Sequence, residues 1–242
     1  MTNVDDYYYY PNSSVLRNKL NTRFQSKLDE KEKYLSQARY LQLRNDASCL
    51  GNQTFDFEYL KSIHCYLFQD VYEWAGNVKL QNTYKKNMHY VDVADIPRRA
   101  KEIFGDVKKN FITNMQPGEF CEKAGQLLYD IHFLHPFREG NTRSELTYIK
   151  LLSEYCGVGL DYTAVNYTEW KNTIHRANNS KSVDPFVEYL NKCHDGFEKK
   201  AKTFSFEKQL NDVQTLVEEK GFLKEAKNSQ KRSGEPFTRK IQ

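Results

Sequence analysis

Apolar residues recur at helical spacing along most of the chain. From about Thr22 to Arg44, Phe24, Leu28, Tyr34, Leu35, Ala38 and Leu41 share one face, and Lys, Asp, Glu and Arg fill the other. Leu60, Ile63, Leu67, Val71 and Trp74 form a second stripe. It predicts a helix from about Phe57 to Trp74, capped by Asp56 and ended by Gly76-Asn77. His64 lies beside this stripe and reads as a satisfied core histidine. Asp95 with Pro97 opens a helix running to about Ile112. Pro117-Gly118-Glu119 opens the next, with Leu127, Leu128, Ile131 and Leu134 on its inner face. Another spans 141 to 156, with Leu146, Ile149, Leu152 and Tyr155 or Cys156, and is stopped by Gly157 and Gly159. Asn166 or Thr168 caps a helix carrying Trp170, Ile174 and Ala177. Asp184-Pro185 opens one carrying Phe186, Val187, Leu190 and Cys193. A last amphipathic stretch covers about Phe206 to Phe222.

The helical rhythm breaks between Val78 and Val91. Val78 and Leu80, then Met88 and Tyr90, predict two short strands around a turn from Asn82 to Asn87 that holds Lys85 and Lys86. The expected fold class is therefore all-α, a bundle of about eight helices with one small β-hairpin. The chain divides into an irregular segment (1–21), a main domain (22–200), a C-terminal helix (201–225) and a basic tail (226–242) with little to bury. The run Tyr7 to Tyr10 is expected to pack on the domain.

Composition narrows the classes. A chain of 242 residues, 39% hydrophobic and 28% charged, can bury a sizeable core. No stretch approaches the ~20 apolar residues of a membrane span. Met1 to Tyr10 carries two acids and no basic–apolar signal pattern. That points to folding in a cytoplasm and is compatible with export through a C-terminal signal. The five cysteines, Cys49, Cys65, Cys121, Cys156 and Cys193, form no C-x-x-C pair, so a zinc or dithiol site is not expected. Cys65, Cys121 and Cys156 read as small core residues. Net charge is +4, but residues 220 to 242 hold seven basic against two acidic residues, an excess of five, which leaves the body at −1. A nucleic-acid partner is not expected from such a body.

The chemistry concentrates in His135-Pro136-Phe137-Arg138-Glu139-Gly140-Asn141-Thr142-Arg143. Apolar helical patterns flank it, so it reads as a loop feeding the N-terminus of a buried helix. Free N–H groups and the positive dipole end then face an anion. Gly140 admits a phosphate close to the backbone, and Arg143 offers a fork of donors. Glu139 suits Mg2+, which takes one or two carboxylates beside substrate phosphates. His135 has the pKa range of a base acting on a hydroxyl near neutral pH.

This string resembles the signature of the Fic (filamentation induced by cyclic AMP) family, H-x-F-x-[DE]-G-N-x-R, at His135, Phe137, Glu139, Gly140, Asn141 and Arg143. Leu60 to His64 with Leu67 to Gly76 is similar to the family's preceding helix and the entry to its β-hairpin flap. Tyr9-Tyr10-Pro11 with Leu16 to Leu20 is similar to the opening of many members. The likeness covers about residues 7 to 195. It implies a bacterial protein adenylyltransferase that moves AMP from ATP to a Tyr, Ser or Thr hydroxyl of a target protein. It assigns His135 as base, Glu139 to Mg2+, and Arg138, Gly140, Asn141, Thr142 and Arg143 to the nucleotide. Lys85 and Lys86 fall on the flap that docks the target. A small inhibitory antitoxin-like partner is compatible with it. Two positions depart from the family. Thr142 stands where Gly is common, and Leu146 stands where a second Arg contacts the far phosphates and pairs with an inhibitory Glu. The same pocket moving phosphate or another nucleotide moiety therefore stays open, as does a non-catalytic interaction protein with a vestigial site. Thr215 to Glu219 meets the loose inhibitory pattern [ST]-x-x-x-E, as does Ser26 to Glu30.

Overall fold

A computed structural model describes residues 4–85 and 88–200, with Thr215 alone beyond them. The fold is all-α with one minimal hairpin. The helices are α1 (Val4–Tyr8), α2 (Gln25–Asn45), α3 (Phe57–Phe68), α4 (Ile96–Phe104), α5 (Val107–Asn110), α6 (Pro117–Leu134), α7 (Asn141–Tyr155), α8 (Tyr167–Ser180) and α9 (Asp184–Lys200). The hairpin pairs β1 (Tyr84–Lys85) with β2 (Met88–His89), antiparallel, with Tyr84 opposite His89 and Lys85 opposite Met88. The predicted helix at 206–222, the tail at 226–242, Lys86 and the segment Leu216 to Glu219 lie outside the described residues. The Ser26 to Glu30 segment sits on α2, with Ser26 and Glu30 exposed.

The chain forms two compact units. Among the described residues, one comprises the chain up to Asn45 together with Tyr66–Ala75. Its buried residues include Leu28, Leu35 and Leu43 of α2, and Tyr8, Tyr10 and Trp74. Tyr72 stacks on Trp74 (4.2 Å, 17°), and Tyr8 meets Trp74 edge-on. Two of the four N-terminal tyrosines are thus core residues, as expected. Arg39 forks both oxygens of Asp70 at 2.6 and 2.9 Å, and that bond holds its guanidinium above its ordinary pKa. The first helix starts at Gln25, not Thr22, because Thr22 is taken into a turn by the Asn18 amide. Phe24 is accordingly exposed. The second predicted helix stops at Phe68 rather than Trp74. Lys19 claims the carbonyls of Gln69 and Val71 that further turns would need.

The other unit comprises Asp46–Cys65 and the described chain from Gly76 on. Its centre is α6, which packs on α7, α9 and α4, while α8 lies on α9. Phe120, Ala124, Leu128 and Leu134 of α6, Tyr148, Ile149 and Leu152 of α7, and Phe186 and Leu190 of α9 are buried. Gly125 permits the close α6–α9 approach: a Cβ there would lie 2.5 Å from Val187 Cγ2. The helix expected from Asp95 to Ile112 is broken at Gly105-Asp106 into α4 and α5, and Ile112 is exposed. Cys121 and Cys156 are buried as expected, but Cys65 is exposed, since it lies off the Leu60, Ile63, Leu67 stripe. Asn166 closes a full capping box with Glu169 at the start of α8.

The hairpin also differs from expectation. Its first strand lies inside the predicted turn region, its second falls where a strand was expected, and each is two residues long. The reason is that Val78 to Leu80 and Tyr90-Val91 bond elsewhere. Lys79 N donates to Pro136 O at 2.8 Å, and Val91 N donates to Phe133 O at 3.0 Å. The base of the hairpin is thereby tied to the loop after α6.

Candidate active site

Helix α6 ends because His135 turns left-handed (φ 46°, ψ 58°) while its N–H still donates to Ile131 O. For a residue with a side chain this conformation costs about 1–3 kcal/mol, so the surroundings must hold it. They do so at several points. Tyr90 lies flat on the His135 ring, 3.8 Å between centroids and 14° between planes. The Asn141 amide braces the loop at both ends, accepting from Phe137 N (2.9 Å) and donating to Phe137 O (2.8 Å). Phe137 is buried, as its expected anchoring role requires. Gly140 takes φ 83° and forms the N-cap of α7.

His64 is the loop's deepest fastening. It is fully buried, with its ring stacked on Phe137 at 3.9 Å. Its Nδ1 accepts from Gly76 N at 2.7 Å. The ring therefore carries its proton on Nε2 and donates it to Glu139 O at 2.9 Å. Burial pushes its pKa down to about 3, against the opposing bond to Glu139 and with a further push from Arg143, so the ring is neutral. Gly76 itself fits only without a side chain, since a Cβ would stand 2.9 Å from Cys65 Cβ.

The outer side of the loop is open. Glu139 is exposed, and Arg138, Thr142 and Arg143 are half-buried. Glu139 Oε1 accepts from Gly140 N at 2.9 Å, and Arg143 Nη2 stands 3.9 Å away in a loose ion pair. The first N–H groups of α7 have no helical partners and face the same loop. A buried imidazole, a guanidinium, an exposed carboxylate and a helix N-terminus thus lie within nine residues. No group of three or more His, Cys, Asp or Glu that could hold a metal occurs among the described residues. Glu139 would accordingly be one carboxylate among waters and phosphates, the manner in which Mg2+ is held beside a nucleotide. Lys85 sits in β1. Leu146, one turn beyond Arg143, is half-buried, and its carbonyl accepts from Tyr162 OH at 3.0 Å.

Four residues of this region escaped the sequence reading. The sequence pattern places Tyr90 only in a strand. Lys79 is a fully buried lysine whose Nζ donates to Thr83 Oγ1 and lies 5.8 Å from the Tyr90 ring. Burial lowers its pKa to about 8, with Asp92 opposing. His132 and Glu145 form a buried pair, Nδ1 to Oε1 2.9 Å, beneath the loop. A signal did exist, since both fall on the inner faces of apolar helices, where a charge needs a partner.

Residues 54–152 match the sequence model of the Fic/DOC family. A protein named "Probable protein adenylyltransferase y4lH" from Sinorhizobium fredii is 33% identical over 160 residues, which cover 65% of this chain and 80% of that one. "Protein adenylyltransferase VbhT" from Bartonella schoenbuchensis is 31% identical over 166 residues, 68% of this chain but 34% of its own longer chain. Among solved structures, BepC, a VirB-translocated effector of Bartonella tribocorum with bound AMPPNP, superposes with a TM-score of 0.73 at 21% identity, covering 79% of this chain and 98% of that one. The fold and loop define a Fic-type protein. The chain belongs to the Fic/DOC family.

Proposed function

We propose that the protein transfers AMP from ATP to a Tyr, Ser or Thr hydroxyl of a target protein. The observation that carries this is the placement of the buried, ring-clamped His135 beside the N-terminus of α7, with Arg143 and Glu139 on the open side. The names of the relatives support the same reading. His135 takes the proton from the target hydroxyl. The oxygen forms a bond to the α-phosphorus, the bond to the bridging oxygen breaks, and pyrophosphate leaves. Arg138, Arg143, Gly140 and the N–H groups of Asn141 and Thr142 hold the phosphates, while the Asn141 side chain keeps the loop in shape. Glu139 would hold Mg2+, which when bound neutralises charge on the phosphates. Positioning and electrostatics carry such a reaction. The β1–β2 edge, with Lys85 on β1, would receive an extended target segment by strand pairing, and Lys85 and Lys86 are the residues we assign to docking it.

Leu146 favours a second reading, in which the same loop moves phosphate or another nucleotide moiety. Among the described residues, no helix is long and apolar enough to cross a membrane. Export into a host cell and an antitoxin-like inhibitor remain part of the proposal, not of the structure.

ATP labelled at either the α or the γ position, incubated with the protein and a bacterial or host lysate, separates these readings. Label from the α position on protein supports AMP transfer, and label from γ alone overturns it. His135→Ala should lower transfer about 10²–10⁴-fold with nucleotide affinity nearly unchanged. Retained activity in a folded variant would remove His135 from its role.

A further inference from the structure

The buried pair beneath the loop has no part in the reaction as described. His132 lies one helical turn before His135 on α6, and Glu145 lies in the second turn of α7. They are 3% and 1% exposed. His132 Nδ1 meets Glu145 Oε1 at 2.9 Å, and among the described residues His132 Nε2 and Glu145 Oε2 find no hydrogen-bond partner. Rings of Tyr90, Phe133, Trp170 and Phe186 surround the imidazole. A clip between two helices does not require this chemistry, since an apolar pair of equal volume commonly holds at least as well as a buried ionic one. The next ring along is that of His135, 6.2 Å away and nearly perpendicular.

We propose that Glu145, acting through His132, is a positioning residue that raises the basicity of His135 and stabilises the imidazolium His135 becomes during transfer. The second half of this rests on the transfer reading above. The Glu145 carboxylate, bonded to His132 Nδ1, lies in a site closed to water, where a charge acts over several ångströms. Tyr90 registers that charge. Burial first, and then Glu145, push its phenol up to about 12, so the ring stacked on His135 stays neutral. Tyr189 on α9 is raised by burial first and by Glu145 among its smaller causes. Charged groups near this ring among the described residues include Lys79 beside Tyr90 and, on the same loop, Arg138 and Arg143, positive charges that oppose protonation, and Glu139, which is exposed and loosely paired with Arg143. Glu145 supplies the carboxylate on the buried side. No bond is made or broken by the pair; it shapes the free energy of the proton that His135 accepts.

The test follows the His135 ring by NMR through a pH titration of the full chain, with the signal assigned by His135→Ala. Wild type is compared with Glu145→Gln, which keeps the shape and loses the charge, and with His132→Phe, which keeps the aromatic box and cuts the link. In both, the carboxylate charge is lost, in His132→Phe because a buried carboxylate without its partner takes a proton, and the His135 pKa should fall by about 1–2 pH units, the effect of one charge several ångströms away at an effective dielectric near 20. The acidic limb of kcat/KM for α-labelled AMP transfer should move down by the same amount. A merely structural role would lower kcat and leave the limb in place. An unmoved titration in folded variants overturns the proposal, and so does failure of both variants to fold. A wild type that transfers no AMP, together with a shifted His135 titration, would instead overturn the transfer reading and keep the link between Glu145 and His135.

Discussion

The neutral, fully buried His64 makes stability depend on pH in a window that can be worked out. Its folded pKa is about 3, against 6.5 for an ordinary histidine. A base with a depressed folded pKa contributes stability that is intact above the unfolded value and lost as pH falls. The unfolded chain then takes a proton that the folded protein refuses. From about pH 6.5 down to about pH 3 the loss approaches ~1.4 kcal/mol per pH unit. Between pH 7.5 and 5.0 it comes to about 2 kcal/mol, a large share of a typical stability of about 5–15 kcal/mol. The perturbation is His64→Gln, which cannot be protonated. Urea unfolding of both proteins at pH 7.5 and 5.0 is the assay. The variant should be less stable at pH 7.5, having lost the bonds to Gly76 and Glu139. Its further loss on going to pH 5.0 should be about 2 kcal/mol smaller than that of wild type. Carboxylates elsewhere titrate equally in both and cancel. Equal pH dependence in the two proteins would refute the neutral, proton-refusing ring.

Glu139→Gln should weaken Mg2+-ATP turnover strongly and leave metal-free nucleotide binding nearly unchanged. Calorimetry showing equal effects with and without Mg2+ would return Glu139 to a helix-dipole role of about 0.3–1 kcal/mol. Leu146→Arg should strengthen ATP over ADP by about 1.5–3 kcal/mol if the new guanidinium meets the terminal phosphate, while the parent protein binds the two alike. Because Leu146 is half-buried rather than core, the arginine has room, and thermal unfolding should confirm a folded variant. Gly125→Ala should destabilise by about 1–3 kcal/mol through overpacking against Val187; an unchanged Tm would show that α9 yields.

The helices from α6 onward were legible because each carries its own start, stripe and stop: Pro117, Asn166 and Asp184 act through neighbours in sequence. Where the outcome depended on distant partners, the sequence was silent. The end of α3 is decided by Lys19, some fifty residues away, and the shift of the hairpin by Pro136 and Phe133. The loop itself was readable because its chemistry lies in nine consecutive residues. Its supports were not, since Tyr90 and Lys79 reach it from other elements and neither is unusual in its own local context, while Glu145 shows only that a charge on an apolar helix face needs a partner, not which one. His64 was read correctly as a core residue, but nothing local shows that its two nitrogens bind the backbone of two separate segments.

That last feature bears on how this active site can be altered. His64 grips the carbonyl of residue 139 and the N–H of residue 76, Lys79 N grips the carbonyl of residue 136, and Asn141 grips both backbone groups of residue 137. None of these contacts involves the side chain of Arg138, Glu139, Thr142 or Arg143. The loop behaves as a socket whose frame is held largely by these contacts, with the Glu139 carboxylate adding a bond to Gly140 N. Its surface side chains are therefore the place to retool donor choice, leaving the frame intact.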